Sequence, residues 1–265
     1  MNTIESPASR ESKIRDHLQR ALRATCILAL LAGLTTTITA QAAIPQSERD
    51  ALIAIYDSTS GAGWIDNSGW NGAPGTECSW HGIVCDGTQS HVTQITLSNN
   101  NLTGSLPSLA SLTELQVFQA DGNTGAGQLT GTIPPLASMA NLQDFEVHGN
   151  QLTGSIPPLA GLTNLHYFDT GFNELTGSIP PLAGLTNLQY FHVDFNQLAG
   201  SIPSLMGLTN LMGFYAGANQ LTGSIPSLAG LTNLETVSAS YNSLTGSIPS
   251  LAGLTNLQDF GASYN

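Results

Sequence analysis

The chain contains 265 residues, of which only 9% are charged, whereas roughly 25% is typical of soluble domains. Its formal net charge is -12 with only 6 Lys and Arg residues, which excludes a nucleic-acid-binding surface because phosphate neutralisation requires clustered cations. With 41% hydrophobic residues, the chain is long enough to bury a core in one or two domains.

The N-terminal segment 1–42 contains a cationic stretch, an apolar run and a small-residue sequence, in that order. The apolar run 24–38 is followed by Ala40-Gln41-Ala42. This order is typical of a secretory signal peptide, and the run is shorter than the ~20 residues that span a bilayer. Cleavage after Ala42 would leave Arg49 as the only Lys or Arg of the mature chain. An uncleaved membrane anchor is the alternative. We therefore expect a secreted, periplasmic or cell-surface protein that meets a membrane only if this segment is retained.

The next segment, 43–91, differs in composition from the rest of the chain. Ser47 precedes three charged residues and an apolar pattern at 51–56, which predicts an amphipathic helix with Ser47 as its N-cap. The segment also holds all three tryptophans of the chain: Trp64, Trp70 and Trp80. We expect these rings to be buried; stacking against a ligand is the alternative.

Two cysteines lie in the same segment. Loss of Cys26 with the signal peptide leaves Cys78 and Cys85 as a pair. A disulfide is expected between them because the chain is predicted to be exported. Free thiols or half of a zinc site are the alternatives, but zinc would have to recruit distant histidines.

From about residue 92 the sequence repeats itself with a period of 23 residues. The anchor L-[TA]-G-[ST]-[IL]-P recurs seven times, and the first interval alone is longer, at 27 residues. A period of this size indicates a solenoid whose units bury their apolar faces against one another. The anchors begin at Leu102, Leu129, Leu152, Leu175, Leu198, Leu221 and Leu244.

The unit L-T-N-L-x-x-F-x-x-x-x-N-x-L-T-G-S-I-P resembles the leucine-rich repeat of the plant-type subclass, over most of 92–265. The resemblance implies a leucine-rich repeat solenoid of the α/β type, with about eight short parallel strands on a concave face and irregular or 3-10 segments on the convex face. It also implies that 43–91 is an N-terminal helical cap. The chain stops at Asn265 without a C-terminal cap, and four extra residues around 124–128 predict a glycine-rich bulge.

An asparagine recurs at one position of every unit. A polar side chain is tolerated inside a protein only when it is hydrogen-bonded. We therefore expect a structural ladder of amides that bond the turning backbone of neighbouring coils. Its members are Asn100, Asn123, Asn150, Asn173, Asn196, Asn219, Asn242 and Asn265.

The outward positions of the predicted strands are the variable letters of the repeat, and variation on a rigid scaffold is where binding usually occurs. Acids, histidines and aromatic residues converge on the middle units. The predicted ligand-binding residues are Asp144, Glu146, His148, Tyr167, Asp169, Phe172, Tyr190, His192, Asp194, Phe195 and Tyr215.

This surface predicts a protein or peptide interaction module, with a basic partner favoured by the carboxylates. Leucine-rich repeats usually bind proteins or peptides, although receptors of this type that clamp a ligand carboxylate need arginines there, and none follows Arg49. Cell-surface carbohydrate recognition is the alternative. A solvated sheet face with purely structural aromatic ladders also stays open.

Other chemistries are weaker. Glu146 and Asp169 occupy adjacent units, as in a retaining glycosidase, but an open sheet offers no water-excluding pocket. A metal site at Glu146, Asp169, His192 and Asp194 lacks a calcium or zinc spacing motif, and ice binding by the threonine and serine array of the anchors is disfavoured because the family motif itself supplies that threonine. We expect no catalysis, no cofactor and no metal.

Overall fold

The computed structural model describes residues 44–122 and 128–265. The predicted signal peptide lies outside the described residues, and so does the predicted bulge apart from Gln128. Within the described ranges, no helix is both long and apolar enough to cross a membrane.

The segment before the repeats begins with helix α1, Gln46–Ser58. Ser47 is not its N-cap, so that prediction was wrong: Pro45 occupies this position and no side chain caps the helix. The carbonyl of Pro45 accepts hydrogen bonds from the backbone N–H groups of Glu48 and Arg49, at 3.0 and 3.1 Å. Proline suits a helix start because its missing N–H would have no partner there and its φ is already helical.

Two short 3-10 helices follow, Gly61–Gly63 and Glu77–Ser79. The three tryptophans pack against one another as a chain of rings, with centroid distances of 4.9 Å from Trp64 to Trp70 and 5.2 Å from Trp70 to Trp80. All three are buried, which confirms that they belong to the core. Cys78 and Cys85 form the expected disulfide.

The main sheet contains the strands β1 Ile83–Cys85, β2 Val92–Thr96, β4 Val117–Gln119, β6 Asp144–Glu146, β7 Tyr167–Asp169, β8 Tyr190–His192, β10 Gly213–Tyr215, β12 Thr236–Ser238 and β14 Asp259–Gly261. They are hydrogen-bonded in this order; β1 is antiparallel to β2, and the eight strands from β2 onward are parallel. Together with α1, this sheet confirms the predicted fold class.

The L-T-G anchors form further short parallel strands, which the sequence did not predict. One sheet pairs β3 with β5, and another has the order β13-β11-β9. The threonine hydroxyls of these anchors are already engaged in places: Thr153 Oγ1 donates to Gly131 O of the preceding coil at 3.2 Å. The strands are β3 Gly104–Ser105, β5 Leu129–Thr130, β9 Ala199–Ser201, β11 Gln220–Gly223 and β13 Ser243–Leu244.

The core of the solenoid contains a column of phenylalanines at the central residues of β4, β6, β7, β8 and β10. Neighbouring rings lie nearly parallel, with centroids 5.4 to 5.8 Å apart. Because the side chains of a strand alternate between its two faces, burying this central residue turns the residues on either side outward. The column consists of Phe118, Phe145, Phe168, Phe191 and Phe214.

The asparagine ladder is confirmed for its described members, whereas Asn123 lies outside the described residues. From Asn150 onward, each amide bonds the backbone of the preceding coil. Asn173 Nδ2 donates to Val147 O at 3.0 Å, and Asn173 Oδ1 accepts from the backbone N–H of Leu152 at 2.9 Å. The first ladder member, Asn100, instead bonds the backbone of Asp66 and so ties the N-terminal segment to the repeats. The pattern of Asn173 recurs at Asn150, Asn196, Asn219, Asn242 and Asn265.

Candidate functional site

The main sheet brings most of the predicted binding residues onto one face. The first and third residues of β6, β7, β8 and β10 turn outward, and the strand register places Asp169 between Glu146 and His192. The same register places Tyr215 beside His192. We call this surface the acidic aromatic strip, and it consists of Asp144, Glu146, Tyr167, Asp169, Tyr190, His192 and Tyr215.

His192 lies at the centre of the aromatic part of the strip. Its ring is stacked on Tyr215 with centroids 4.1 Å apart and lies 5.4 Å from the ring of Tyr167. Burial, assisted by the nearby His148, lowers the pKa of His192 to about 4. The imidazole is therefore neutral at pH 7. It extends the aromatic surface of Tyr167 and Tyr215 and does not act as a cation.

The carboxylates of the strip are partly withdrawn from water. Burial is the main cause of a raised pKa at Asp144, Glu146 and Asp169, and at Asp169 the pKa rises to about 6. Two of them have polar partners: Gln119 Nε2 donates to Glu146 Oε1 at 2.8 Å, and the backbone N–H of Gly171 donates to Asp169 Oδ1 at 2.9 Å. Each ionised carboxylate here therefore favours a nearby cation.

His148 connects the strip to a residue that the sequence did not assign to the site. Its Nδ1 lies 3.4 Å from Asp121 Oδ1 and 3.4 Å from Asp169 Oδ2. Donor atoms of Asp121, Glu146 and His148 all lie within 4.8 Å of one another. Carboxylates and imidazole are metal-ligand types, and the same group can also hold a cationic side chain. Asp121 could have been found, because it occupies the same repeat position as His148 and Asp194.

Phe172 and Phe195 lie at the rim of the face rather than within the strip. Each follows its strand by three residues, has a positive φ, and is more than half exposed. Their rings are stacked on each other, with centroids 4.3 Å apart. Asp194, beside Phe195, has a pKa that is raised mainly by burial. Two parts of the predicted site are therefore distinct, the strip and an aromatic rim.

Comparison with known proteins gives the class of this fold. The family model of the Leucine Rich Repeat matches residues 91–112 and 233–254. The chain is 35% identical over 102 residues to "Receptor protein kinase WSS1" of Oryza sativa subsp. japonica, an alignment that covers 38% of this chain and 10% of that protein.

Two solved structures are similar. One is the leucine-rich repeat ectodomain of the plant membrane receptor kinase GASSHO1/SCHENGEN3 from Arabidopsis thaliana, at 30% identity and a TM-score of 0.66, covering 82% of this chain and 29% of that one. The other is the ectodomain of the Arabidopsis receptor kinase HAESA, at 26% identity and a TM-score of 0.55, covering 82% and 42%.

The 23-residue period, the parallel-strand solenoid and these similarities identify the chain as a leucine-rich repeat protein. Its repeats are of the plant type, and the two similar structures described above are ectodomains of plant receptor kinases. The chain spans less than half the length of each of these three relatives.

Proposed function

We propose that this protein binds an extended, basic peptide segment of a partner across the acidic aromatic strip. The observation that carries the proposal is the shared outward register of carboxylates and aromatic rings on β6, β7, β8 and β10. A peptide lying across neighbouring strands would meet an acid or a ring at every ~4.8 Å step.

The charge balance supports a cationic partner. No Lys or Arg follows Arg49 in the sequence, and Arg49 itself is paired with Glu77 in the N-terminal segment. Among the described residues, the carboxylates of the strip therefore have no Lys or Arg to neutralise them. A lysine or arginine of the partner would supply that charge. Its binding would be favoured most beside the carboxylates whose pKa burial has raised.

The aromatic residues supply contact area. The rings of Tyr167 and Tyr190 lie 5.7 Å apart, and Tyr215 continues the surface through His192. Tyrosine is enriched at interface hot spots because it buries a large area at a low entropic cost, and its ring face attracts a cation within about 6 Å. The strip thus combines apolar anchoring with electrostatic orientation.

The similar structures support this reading. The GASSHO1/SCHENGEN3 ectodomain was solved in complex with CASPARIAN STRIP INTEGRITY FACTOR 2. The HAESA ectodomain was solved in complex with a peptide hormone ligand. We further propose that the N-terminal segment 1–42 is a signal peptide and that the protein acts as a secreted or cell-surface binding module; an N-terminus at Ala43 in the exported protein would support this.

A paired charge-removal experiment tests the proposal. Arrays of basic, acidic and neutral peptides of equal length identify a binding peptide, whose affinity is then measured by calorimetry. Glu146→Gln with Asp169→Asn should weaken binding by roughly tenfold or more. The control, Asp57→Asn with Glu174→Gln, removes two exposed carboxylates away from the strip and should leave the affinity within about twofold.

Tyr167→Ala with Tyr190→Ala should weaken the same peptide by a similar factor. Selection of acidic peptides, or equal losses in the strip and control variants, would overturn the proposal. Binding to a glycan array with no binding to basic peptides would favour carbohydrate recognition instead.

A further inference from the structure

The aromatic rim contains a gap. The residues that directly precede the ladder asparagines in the last five coils are Phe172, Phe195, Ala218, Tyr241 and Tyr264. All five have φ between 51° and 58°, so their side chains leave equivalent backbone positions. The flanking residues form two stacked pairs, with centroid distances of 4.3 and 4.5 Å and interplanar angles of 14° and 10°. Ala218 leaves the central place in this column of rings empty.

A pocket of about 190 Å³ lies at the empty place. Each stacked pair presents one uncovered ring face to it, from Phe195 on one side and Tyr241 on the other. Two coil spacings of ~4.8 Å separate these rings, so a flat group between them would lie about 5 Å from each ring centroid, within the range of a cation–π contact. The pocket is also lined by Asp194, Gly217, Ala218, Ser238 and Ser240.

We propose that this slot binds the guanidinium group of an arginine side chain from the partner. A guanidinium is planar, stacks on aromatic faces and is weakly hydrated, so it matches a slot between two parallel rings. Asp194 provides the opposite charge: its carboxylate accepts a hydrogen bond from its own backbone N–H, and the other described residues give it no hydrogen-bond donor. A neutral ring would fill the same space but would bring no positive charge to this carboxylate.

Within 44–122 and 128–265, the chain has no cationic side chain free to fill the slot, because Arg49 is the only Lys or Arg there and is held by Glu77 and by Gly72 O. Burial raises the pKa of Asp194. The attraction between this partly desolvated carboxylate and an incoming cation would therefore offset part of the desolvation penalty of the cation. This inference rests on the proposed function, since a basic partner would deliver the arginine, but it places the anchor at the rim and outside the strip.

The test uses small probes that do not depend on the strip: Gly-Arg-Gly, its citrulline and lysine analogues, and Gly-Phe-Gly. Binding is followed by NMR through the aromatic protons of Phe195 and Tyr241. We expect Gly-Arg-Gly to bind most tightly, and the isosteric but neutral citrulline peptide to be weaker by roughly fivefold or more. Equal binding of the arginine and citrulline peptides, or binding of Gly-Phe-Gly alone, would overturn the proposal.

Ala218→Phe fills the gap with a side chain that the column accepts elsewhere at the same backbone conformation, so the fold should be kept, as thermal unfolding would verify. It should abolish the shifts caused by Gly-Arg-Gly, and Asp194→Asn should weaken them. Tyr264→Ala, at the end of the column, leaves the slot intact and should have no effect.

A long basic peptide separates the two proposals. If Ala218→Phe leaves both the probe and the long peptide unaffected while the strip variants lose binding, the slot is wrong and the proposed function stands. If the probe binds the slot but no long basic peptide binds the protein, the proposed function fails.

Discussion

At the scale of single residues, Asp169 combines burial with charge. Its pKa of about 6 lies above the usual 3.8, mainly because of burial, so folding favours its protonated form. Its contribution to stability is present below about pH 4 and is lost as the pH rises through 6. Asp169→Asn removes this loss and can still accept the Gly171 N–H.

We therefore expect Asp169→Asn to raise the free energy of unfolding at pH 7.5 by about 1–2 kcal/mol, and to have almost no effect at pH 4. Urea unfolding of both proteins across this range measures the difference. Both proteins contain His192, whose lowered pKa changes stability with pH in the opposite direction. Subtracting the two unfolding free energies at each pH cancels this contribution. A gain of the same size at pH 4 would contradict the electrostatic explanation.

The ladder asparagines should be the most sensitive polar residues of the repeats. Asn173→Ala leaves the buried N–H of Leu152 without its acceptor and removes one of the two amide donors to the carbonyl of Val147, the other being Asn150, which should cost about 2–4 kcal/mol. Asn164→Ala is the matched control, because exposed Asn164 makes a single bond, to Ala140 O at 3.0 Å, and should cost about 1 kcal/mol or less. Chemical denaturation measures both values. Equal losses would show that the buried ladder asparagines contribute no more to stability than exposed asparagines.

Asn164 also shows what the sequence left hidden. The asparagine of L-T-N-L forms a second ladder on the return side of the solenoid, with the side chain bonding a carbonyl 24 residues earlier, as at Asn187 and Asn210. The repeat makes this asparagine visible, but which backbone group it meets depends on how consecutive coils superpose.

At the scale of elements, the N-terminal segment depends on one buried ion pair. The guanidinium of Arg49, on α1, pairs with the buried carboxylate of Glu77, donates to Gly72 O at 2.6 Å and lies 5.2 Å from the centroid of Trp80. Arg49→Ala leaves Glu77 buried and uncompensated, a change that usually costs about 3–5 kcal/mol.

We expect Arg49→Ala to loosen this segment before the repeats, seen as faster proteolysis near the segment and an early loss of tryptophan fluorescence on heating. Arg49→Met with Glu77→Gln removes both charges and should recover much of the stability. If the double variant were no more stable than Arg49→Ala, lost packing rather than the unpaired charge would be the cause.

The strands were predictable because a fixed letter marks the inward residue. Phe168 and its equivalents define the strand centre, and the outward identity of Tyr167 and Asp169 then follows from alternation. The contact of His148 with Asp121 and Asp169 was not predictable, because it depends on side-chain directions across three coils. The helix start was also missed, since Ser47 matched a capping pattern but Pro45, two residues earlier, already occupies the N-cap position.

At the scale of the whole molecule, the charge asymmetry links partner binding to pH. Asp144, Glu146, Asp169 and Asp194 all have pKa values raised mainly by burial. A bound cation lowers these pKa values, so binding a basic peptide should release protons. The affinity should therefore increase with pH and reach a plateau above the pKa of Asp169, which is about 6.

We expect a lysine- and arginine-containing peptide without histidine to bind up to about tenfold more tightly at pH 7 than at pH 5. Calorimetry at both pH values, in buffers of different ionisation enthalpy, gives the affinity and the number of protons released. Asp169→Asn should reduce both the pH dependence and the proton release, whereas Glu174→Gln, away from the strip, should change neither. A pH-independent affinity in the unaltered protein would mean that the peptide does not contact the buried carboxylates, because no ligand that pairs with them can avoid competing with protons.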